Sequence, residues 1–176
     1  MAVDARQLRN CLGHFATGVT VVSCEHEGRP HGATVNAFAA VSLDPPLVMV
    51  SLDRRSRAGG YLGQRPFTVN VLRERQTRLA RHFAGQARAS AVEWAISTAD
   101  RPPRLVGSLA VFECEPWRTY DGGDHQLFLG EVVDFEYHGG DPLVFYRGQF
   151  RHLLAPLDET LWLGSLDCPD LSWILN

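Results

Sequence analysis

Apolar and polar residues in this chain recur mostly with the period of strands, not of helices. The β-branched run Val19–Cys24 and the return Pro30–Asn36, separated by Glu25-His26-Glu27-Gly28, predict a hairpin. Ala37–Leu43 and Leu47–Leu52 predict two more strands, with Asp44-Pro45-Pro46 as the turn between them. Phe67, Val69 and Val71 share one face of a strand over Phe67–Leu72. With Leu109–Glu115, Leu127–Phe135 and Leu143–Tyr146, the pattern predicts about eight short strands. Helical spacing is rarer. Asp4 as N-cap, with Gln7 completing a capping box and Leu8, Cys11, Leu12 and Phe15 following, predicts a helix ending near Gly13. Arg54–Gln64 reads as a small loop-helix unit. Arg73–Ala84 reads as a helix with Gln76, Leu79 and Phe83 on one side and Arg73, Arg75, Arg78 and Arg81 on a solvated one. Gly85–Leu105 is weakly patterned and reads as a long excursion, a kind of loop that is often functional.

There is no strand–helix–strand alternation and no fixed repeat. Antiparallel strands at this spacing must bury one face and dispose of their edges, and closing into a barrel does both. The expected class is mainly β (α+β), a barrel with a few inserted helices over residues 1–153. The segment 154–176 carries Leu157, Leu161, Trp162, Leu166, Trp173 and Ile174. That is too apolar for a disordered tail, and it is expected to pack on the barrel or on a partner subunit.

The length of 176 residues, 45% of them hydrophobic, suits one packed domain. A net charge of -3 argues against a nucleic-acid partner. No apolar run is long enough to span a bilayer, and Met1–Arg6 does not read as a signal peptide. A cytoplasmic location is expected. The 17 cationic residues are all Arg. A lysine Schiff base or lysine phosphate clamp is therefore excluded, and any phosphate falls to Arg forks, backbone N–H groups or hydroxyls. Cys11, Cys24, Cys114 and Cys168 have no zinc-ligand spacing and read as small buried hydrophobes in a reducing compartment, with no metal site.

Three places could carry chemistry. Gly32-Ala33-Thr34-Val35-Asn36-Ala37 sets a glycine, a hydroxyl and an amide at a strand end, where small residues admit a flat polar ligand. It reads equally as a strand leaving the sheet. Ser51-Leu52-Asp53-Arg54-Arg55-Ser56-Arg57 puts hydroxyls and guanidinium groups at the mouth of a predicted helix, either a phosphate cradle or a solvated charged turn. Gly122-Gly123-Asp124-His125 places a His beside an Asp at a strand entrance, as an orienting or acid/base group or simply a capped turn. The aromatic set Phe38, Phe83, Trp94, Phe145, Tyr146 and Phe150 could line a slot for a planar ring, although aromatics usually form core. Motifs of P-loops, serine hydrolases and dinucleotide-binding turns are missing.

Taken in order, Phe15-Ala-Thr-Gly-Val-Thr-Val-Val, Gly32-Ala-Thr-Val-Asn36, Val41-Ser-Leu-Asp-Pro-Pro-Leu-Val, Val69-Asn-Val-Leu, Gln76 through His82-Phe83-Ala84, Gly123-Asp-His125, Leu129-Gly-Glu-Val and Pro142-Leu-Val-Phe-Tyr-Arg-Gly-Gln-Phe resemble the short-chain flavin reductase family. The resemblance implies an FMN-binding split β-barrel, usually a homodimer. It implies an oxidoreductase that uses NADH or NADPH to reduce FMN or FAD and supplies the product to a flavin-dependent monooxygenase component. By position it implies Thr34, Val35, Asn36 and Ala37 along the isoalloxazine edge. Ser51, Leu52, Ser56 and Arg57 would serve the ribityl and phosphate end, and Phe83 and Ala84 would border the flavin. His125 would lie on the nicotinamide side as a positioning group, with Tyr146 nearby. Ala37 stands where the family commonly has Ser. Two other readings share this frame: a flavoenzyme using bound flavin on an organic substrate, and a non-catalytic flavin-binding protein.

Overall fold

The computed structural model describes residues 3–63, 65–86, 91–95 and 101–155. Helix α1 (Ala5–Leu12) is capped by Asp4, whose side chain accepts from the Gln7 N–H. Then follow β1 (Thr17–Gly18), β2 (Thr20–His26), β3 (Arg29–Val35), β4 (Phe38–Leu43), β5 (Pro46–Asp53), α2 (Arg57–Leu62) and β6 (Phe67–Val71). A single 3-10 turn, Glu74–Gln76, leads into α3 (Thr77–Phe83). The chain continues through β7 (Trp94–Ala95), β8 (Arg104–Leu105), β9 (Ala110–Gly122), β10 (His125–Tyr137), β11 (Val144–Tyr146) and β12 (Gln149–Arg151). No helix among the described residues is long and apolar enough to cross a membrane.

The main sheet has 7 strands in the order β3-β2-β6-β9-β10-β5-β4, all pairs antiparallel. Its two edges, β3 and β4, are consecutive in the chain, and only Asn36 and Ala37 join them. Laid flat, a sheet of this width would hold its edges roughly 29 Å apart at ~4.8 Å per strand spacing. The Cα steps from Val35 to Phe38 span at most about 11 Å. The sheet must therefore curl until its edges meet, and the result is a barrel split at the Asn36–Ala37 seam.

Val22, Cys24, Val50, Leu52, Phe67, Val69, Cys114 and Phe128 fill the barrel. Val19, Val21, Leu72, Ala80, Leu105 and Leu143 form a second core outside it, under α3 and the small β1-β11-β12 sheet. Strand β2 is buried on both faces, which is why Val19–Cys24 reads as a continuous apolar run rather than an alternation. Gly130 faces inward where a Cβ would sit 2.5 Å from Phe67 and 2.7 Å from Cys114, so only glycine lets these strands close.

The excursion is tied down at its far end. Asn70, fully buried, donates from Nδ2 to the Val21 carbonyl and the Ser23 hydroxyl, and its Oδ1 accepts from the Leu105 N–H at 2.8 Å. Arg104 pairs with the buried Glu113 and, at 2.8 Å, with Asp134; Arg101 also reaches Asp134.

Several expectations change. Strands β9 and β10 pair along their whole length, so β9 runs on through Gly122 beyond the expected end at Glu115, and a register shift beside Gly130 accommodates Pro116. The helix expected over Arg73–Ala84 begins as the 3-10 turn, and Arg73 clamps the Gly107 and Gly139 carbonyls instead of facing solvent. Helix α1 buries no residue and Cys11 is exposed, contrary to expectation, so its apolar face stands uncovered by the other described residues. Cys24 and Cys114 are buried as expected. Cys168 and the apolar segment from residue 156 onward lie outside the described residues.

Candidate functional site

The seam gathers the candidate residues by simple strand geometry. The Ala37 carbonyl accepts from the Ser51 N–H at 3.1 Å, which ties the β3–β4 link to β5. Along β5 and β10, Asp53 stands opposite His125 and Ser51 opposite Leu127, so His125, Ser51 and Asp53 share one face of the sheet. The N–H groups of Asn36 and Ala37 donate to no described residue, and both residues are exposed. They are available to a ligand carbonyl.

Two clefts lie in series along β3. The larger, about 590 Å³, is bordered by Thr34 of β3 and the following Asn36, by Arg81 and Ala84 at the end of α3, and by Phe145 and Phe150. The smaller, about 370 Å³, is bordered by His31 and Gly32 of β3, by Ser56 and Arg57, and by Phe83. Phe83 covers the backbone at Gly32, where a Cβ would come within 2.9 Å of the ring. An alanine there would push the ring away, so the glycine decides where this aromatic wall stands.

The strand alternation sorts the predicted residues. Thr34, Asn36 and Ala84 line the larger cleft, and Ser56, Arg57 and Phe83 the smaller. Val35 and Leu52 point into the barrel core and can offer only main-chain atoms, because their neighbours take the outward positions. The Thr34 hydroxyl donates to the Ala80 carbonyl at 2.7 Å, so it docks α3 on β3, and the Asn36 amide reaches Thr17 at 3.4 Å. Tyr146 lines neither of these clefts. Its ring meets His14 edge-on, while its strand neighbour Phe145 faces the larger one.

The basic run also divides. Arg54 pairs with Asp121 and donates to the Gly123 carbonyl, bracing the β9–β10 turn. Arg55 is held by Asp53, and that hydrogen-bonded ion pair keeps the Asp53 carboxyl well below the usual carboxylate range. Arg57 alone of the run is exposed with no hydrogen bond or ion pair to a described residue. The Ser56 hydroxyl accepts from the Gly59 N–H and caps α2. His125 Nδ1 lies 2.7 Å from Asp124 Oδ1. With Nδ1–H donating there, Nε2 of the neutral ring is left as the outward acceptor.

The sequence reading marked Phe145 and Phe150 as possible slot-lining aromatics but missed the return strand β12 that pairs them in a hairpin. Phe145 and Phe150 are directly opposite each other in it, with ring centroids 5.6 Å apart, and the Arg81 guanidinium lies over the Phe150 ring at 5.7 Å. Arg81 is exposed, as expected, and also lines the cleft. The signal was present in Tyr146-Arg147-Gly148-Gln149. Arg147 and Gly148 both take positive φ, as the tight primed turn of a hairpin requires.

A profile described as "Flavin reductase like domain" matches residues 12–154. The reductase component of a 4-nitrophenol 4-monooxygenase/4-nitrocatechol 2-monooxygenase from Rhodococcus opacus is 36% identical, with 91% of this chain and 86% of that protein covered. FMN reductase (NADH) SmoA from Agrobacterium fabrum is 41% identical, covering 84% of this chain and 85% of its own. The solved NADH:FAD oxidoreductase SgcE6 of Streptomyces globisporus superposes with a TM-score of 0.81 at 36% identity, over 92% of this chain and 96% of that one.

Proposed function

Because this chain belongs to the flavin reductase-like family, we propose that it is an NADH-dependent flavin reductase, an oxidoreductase that reduces FMN or FAD and hands the product to a separate monooxygenase. Relatives that are reductase components of monooxygenases, and others that are NADH-dependent, support the reading. The single structural observation that carries it is the seam. There the exposed main chain of Asn36–Ala37 is tied to Ser51, on the outward face that also bears His125, while one ring-walled cleft opens at Asn36 and a second at the unpaired Arg57.

The residues fit a flavin. Free N–H groups at Asn36 and Ala37 suit the ring edge on which negative charge grows during reduction, and they need no ionisable group. Arg57 suits the phosphate, and Phe83 over Gly32 makes a flat wall. When bound, the flavin supplies the redox chemistry, taking a hydride from the nicotinamide. The protein's part is to hold two planar rings together and to keep the ring edge hydrogen-bonded. His125, its tautomer set by Asp124, positions the nicotinamide through its outward acceptor.

The active species is a homodimer. Leu8, Leu12 and Phe15 of the α1 face, with Val41 and Leu43 of β4, leave an exposed apolar surface of the kind that a second subunit covers. The free, buried Cys24 and Cys114 suit a reducing compartment, and we assign the cytoplasm.

The deciding measurement mixes purified protein with NADH and either FMN or FAD and follows nicotinamide absorbance. Oxidation that rises and saturates with added free flavin is the expected result. NADH consumption indifferent to flavin, or none at all, would overturn the proposal.

A further inference from the structure

We propose that the larger cleft carries a docking surface for this chain's own segment 156–176, so that the segment and a ligand of the cleft exclude one another. The docking is independent of the reductase reading; only its kinetic consequence rests on that reading.

The cleft offers rings and cations together. Phe145 and Phe150 form one wall, and the Arg81 guanidinium lies over the Phe150 ring at 5.7 Å. Arg151 stands in the same lining and bonds the Gln149 side chain instead of a carboxylate. Arg81 pairs with no carboxylate of a described residue either. Glu74, the one acidic residue in the described lining, is already held by His152 at 3.0 Å. The rim is thus apolar and basic, with two cations that no described carboxylate neutralises.

The segment has the complementary chemistry. It carries Asp158, Glu159, Asp167 and Asp170, no basic residue, and large apolar side chains that include Leu161, Trp162 and Trp173. Burial of its indole and leucine side chains against rings, with carboxylates set beside guanidinium groups, satisfies both halves of that composition. It also lies beyond the residues that the family profile matches, which end at 154.

Its attachment brings it to this cleft. Strand β12 ends at Arg151, and His152 closes the cleft wall by its bond to Glu74. Leu153 and Leu154 follow, exposed at 54% and 91%. From His152 to the first residue of the segment the chain can span at most about 15 Å. A tether this short holds the segment at an effective concentration in the millimolar range, so an affinity on the order of 100 μM for the free segment keeps the cleft covered about ten to one.

The test uses the full chain together with a labelled synthetic peptide of residues 156–176. One variant combines Leu161→Ala, Trp162→Ala and Trp173→Ala. A second neutralises the segment through Asp158→Asn, Glu159→Gln, Asp167→Asn and Asp170→Asn, and reads the docking even if the first aggregates. Thermal melting checks that both are folded. Without any ligand, amides of residues 81–84 and 149–152 should exchange hydrogen more slowly in wild-type protein than in either variant. The peptide, followed by fluorescence anisotropy, should bind the triple-alanine variant saturably below ~1 mM, and about tenfold more weakly once Arg81→Gln and Arg151→Gln are added. Loss of the segment from the cleft should lower KM for NADH, for the flavin or for both by up to about tenfold, because the covered fraction no longer competes. Equal exchange in wild type and both variants, peptide binding indifferent to Arg81 and Arg151, or both KM values unchanged would overturn the proposal. So would protection by the segment on α1 or β4 in place of the cleft, which would assign it to the face that meets a second subunit. Failure of the reductase reading looks different: wild-type protein would oxidise no NADH with either flavin, while the exchange and peptide results would stand.

Discussion

At the residue scale, the site depends on a few side chains left unused by the fold. His125 is oriented by Asp124 and touches no other described side chain by hydrogen bond, so its imidazole is free to meet a ligand. His125→Ala should raise KM for NADH about tenfold, a loss near 1.4 kcal/mol, with a much smaller change in flavin affinity. Equal losses in both would remove His125 from the nicotinamide side. Arg57 has the complementary role. Arg57→Ala should weaken FMN by about tenfold or more, as expected for loss of a charge-assisted contact, and leave phosphate-free riboflavin nearly unchanged. Fluorescence titration of the two flavins side by side measures the difference, and parallel weakening would show that Arg57 does not meet the phosphate.

At the element scale, buried polar contacts fix where the excursion and the long hairpin lie. Asn70 sits in β6, yet its side chain joins β2 to the backbone at Leu105. Asn70→Leu would keep the volume but leave the Leu105 N–H and the Val21 carbonyl without these partners in a dry interior. A cost of about 1–3 kcal/mol follows, read as a lower urea midpoint, and β8 should become the first segment to exchange its amide hydrogens. A variant as stable as wild type would show that water replaces the amide. The ion pairs of Arg104 with Glu113 and Asp134 hold the same excursion against β9 and β10, and Glu113 is buried. Because β8 packs Leu105 beside Phe83 and Trp94 in the second core, these distant polar contacts help set the wall of the smaller cleft.

At the scale of the whole molecule, closure of the barrel puts two thiols in apolar surroundings. Burial raises Cys24 to about 11 and Cys114 to about 12, each from 9.0. Between pH 9 and those values the unfolded chain releases these protons while the folded chain keeps them. The unfolded state then binds fewer protons, so stability must fall as pH rises through this window and level off above it. Denaturant titrations at about pH 8 and about pH 10, below and inside this window, should show the drop. Cys24→Ala/Cys114→Ala should flatten it, and an unchanged slope in that variant would assign the drop to other groups.

The sequence by itself determined most of the main-sheet strands, the Asp4 cap, the buried Cys24 and Cys114, and, through an ordered set of short motifs, the family. These are legible because periodicity and capping act over a few residues, and a one-residue slip in a strand would expose its whole apolar face. Thr34, Asn36, Ser56 and Arg57 could be marked as candidates for the same reason, since small, hydroxyl and cationic residues at strand ends announce themselves, whereas Phe83 is marked as an aromatic and Ala84 only through the family resemblance. Only the tertiary structure decided which of them face a cleft. It turned Val35 and Leu52 into the core, spent Arg54 and Arg55 on carboxylates, and brought Arg81 and Phe150 together from distant parts of the chain. That division follows from closure: once Asn36 and Ala37 pull the two sheet edges together, each side chain's partners are set by strands far away in sequence, and no local pattern records them.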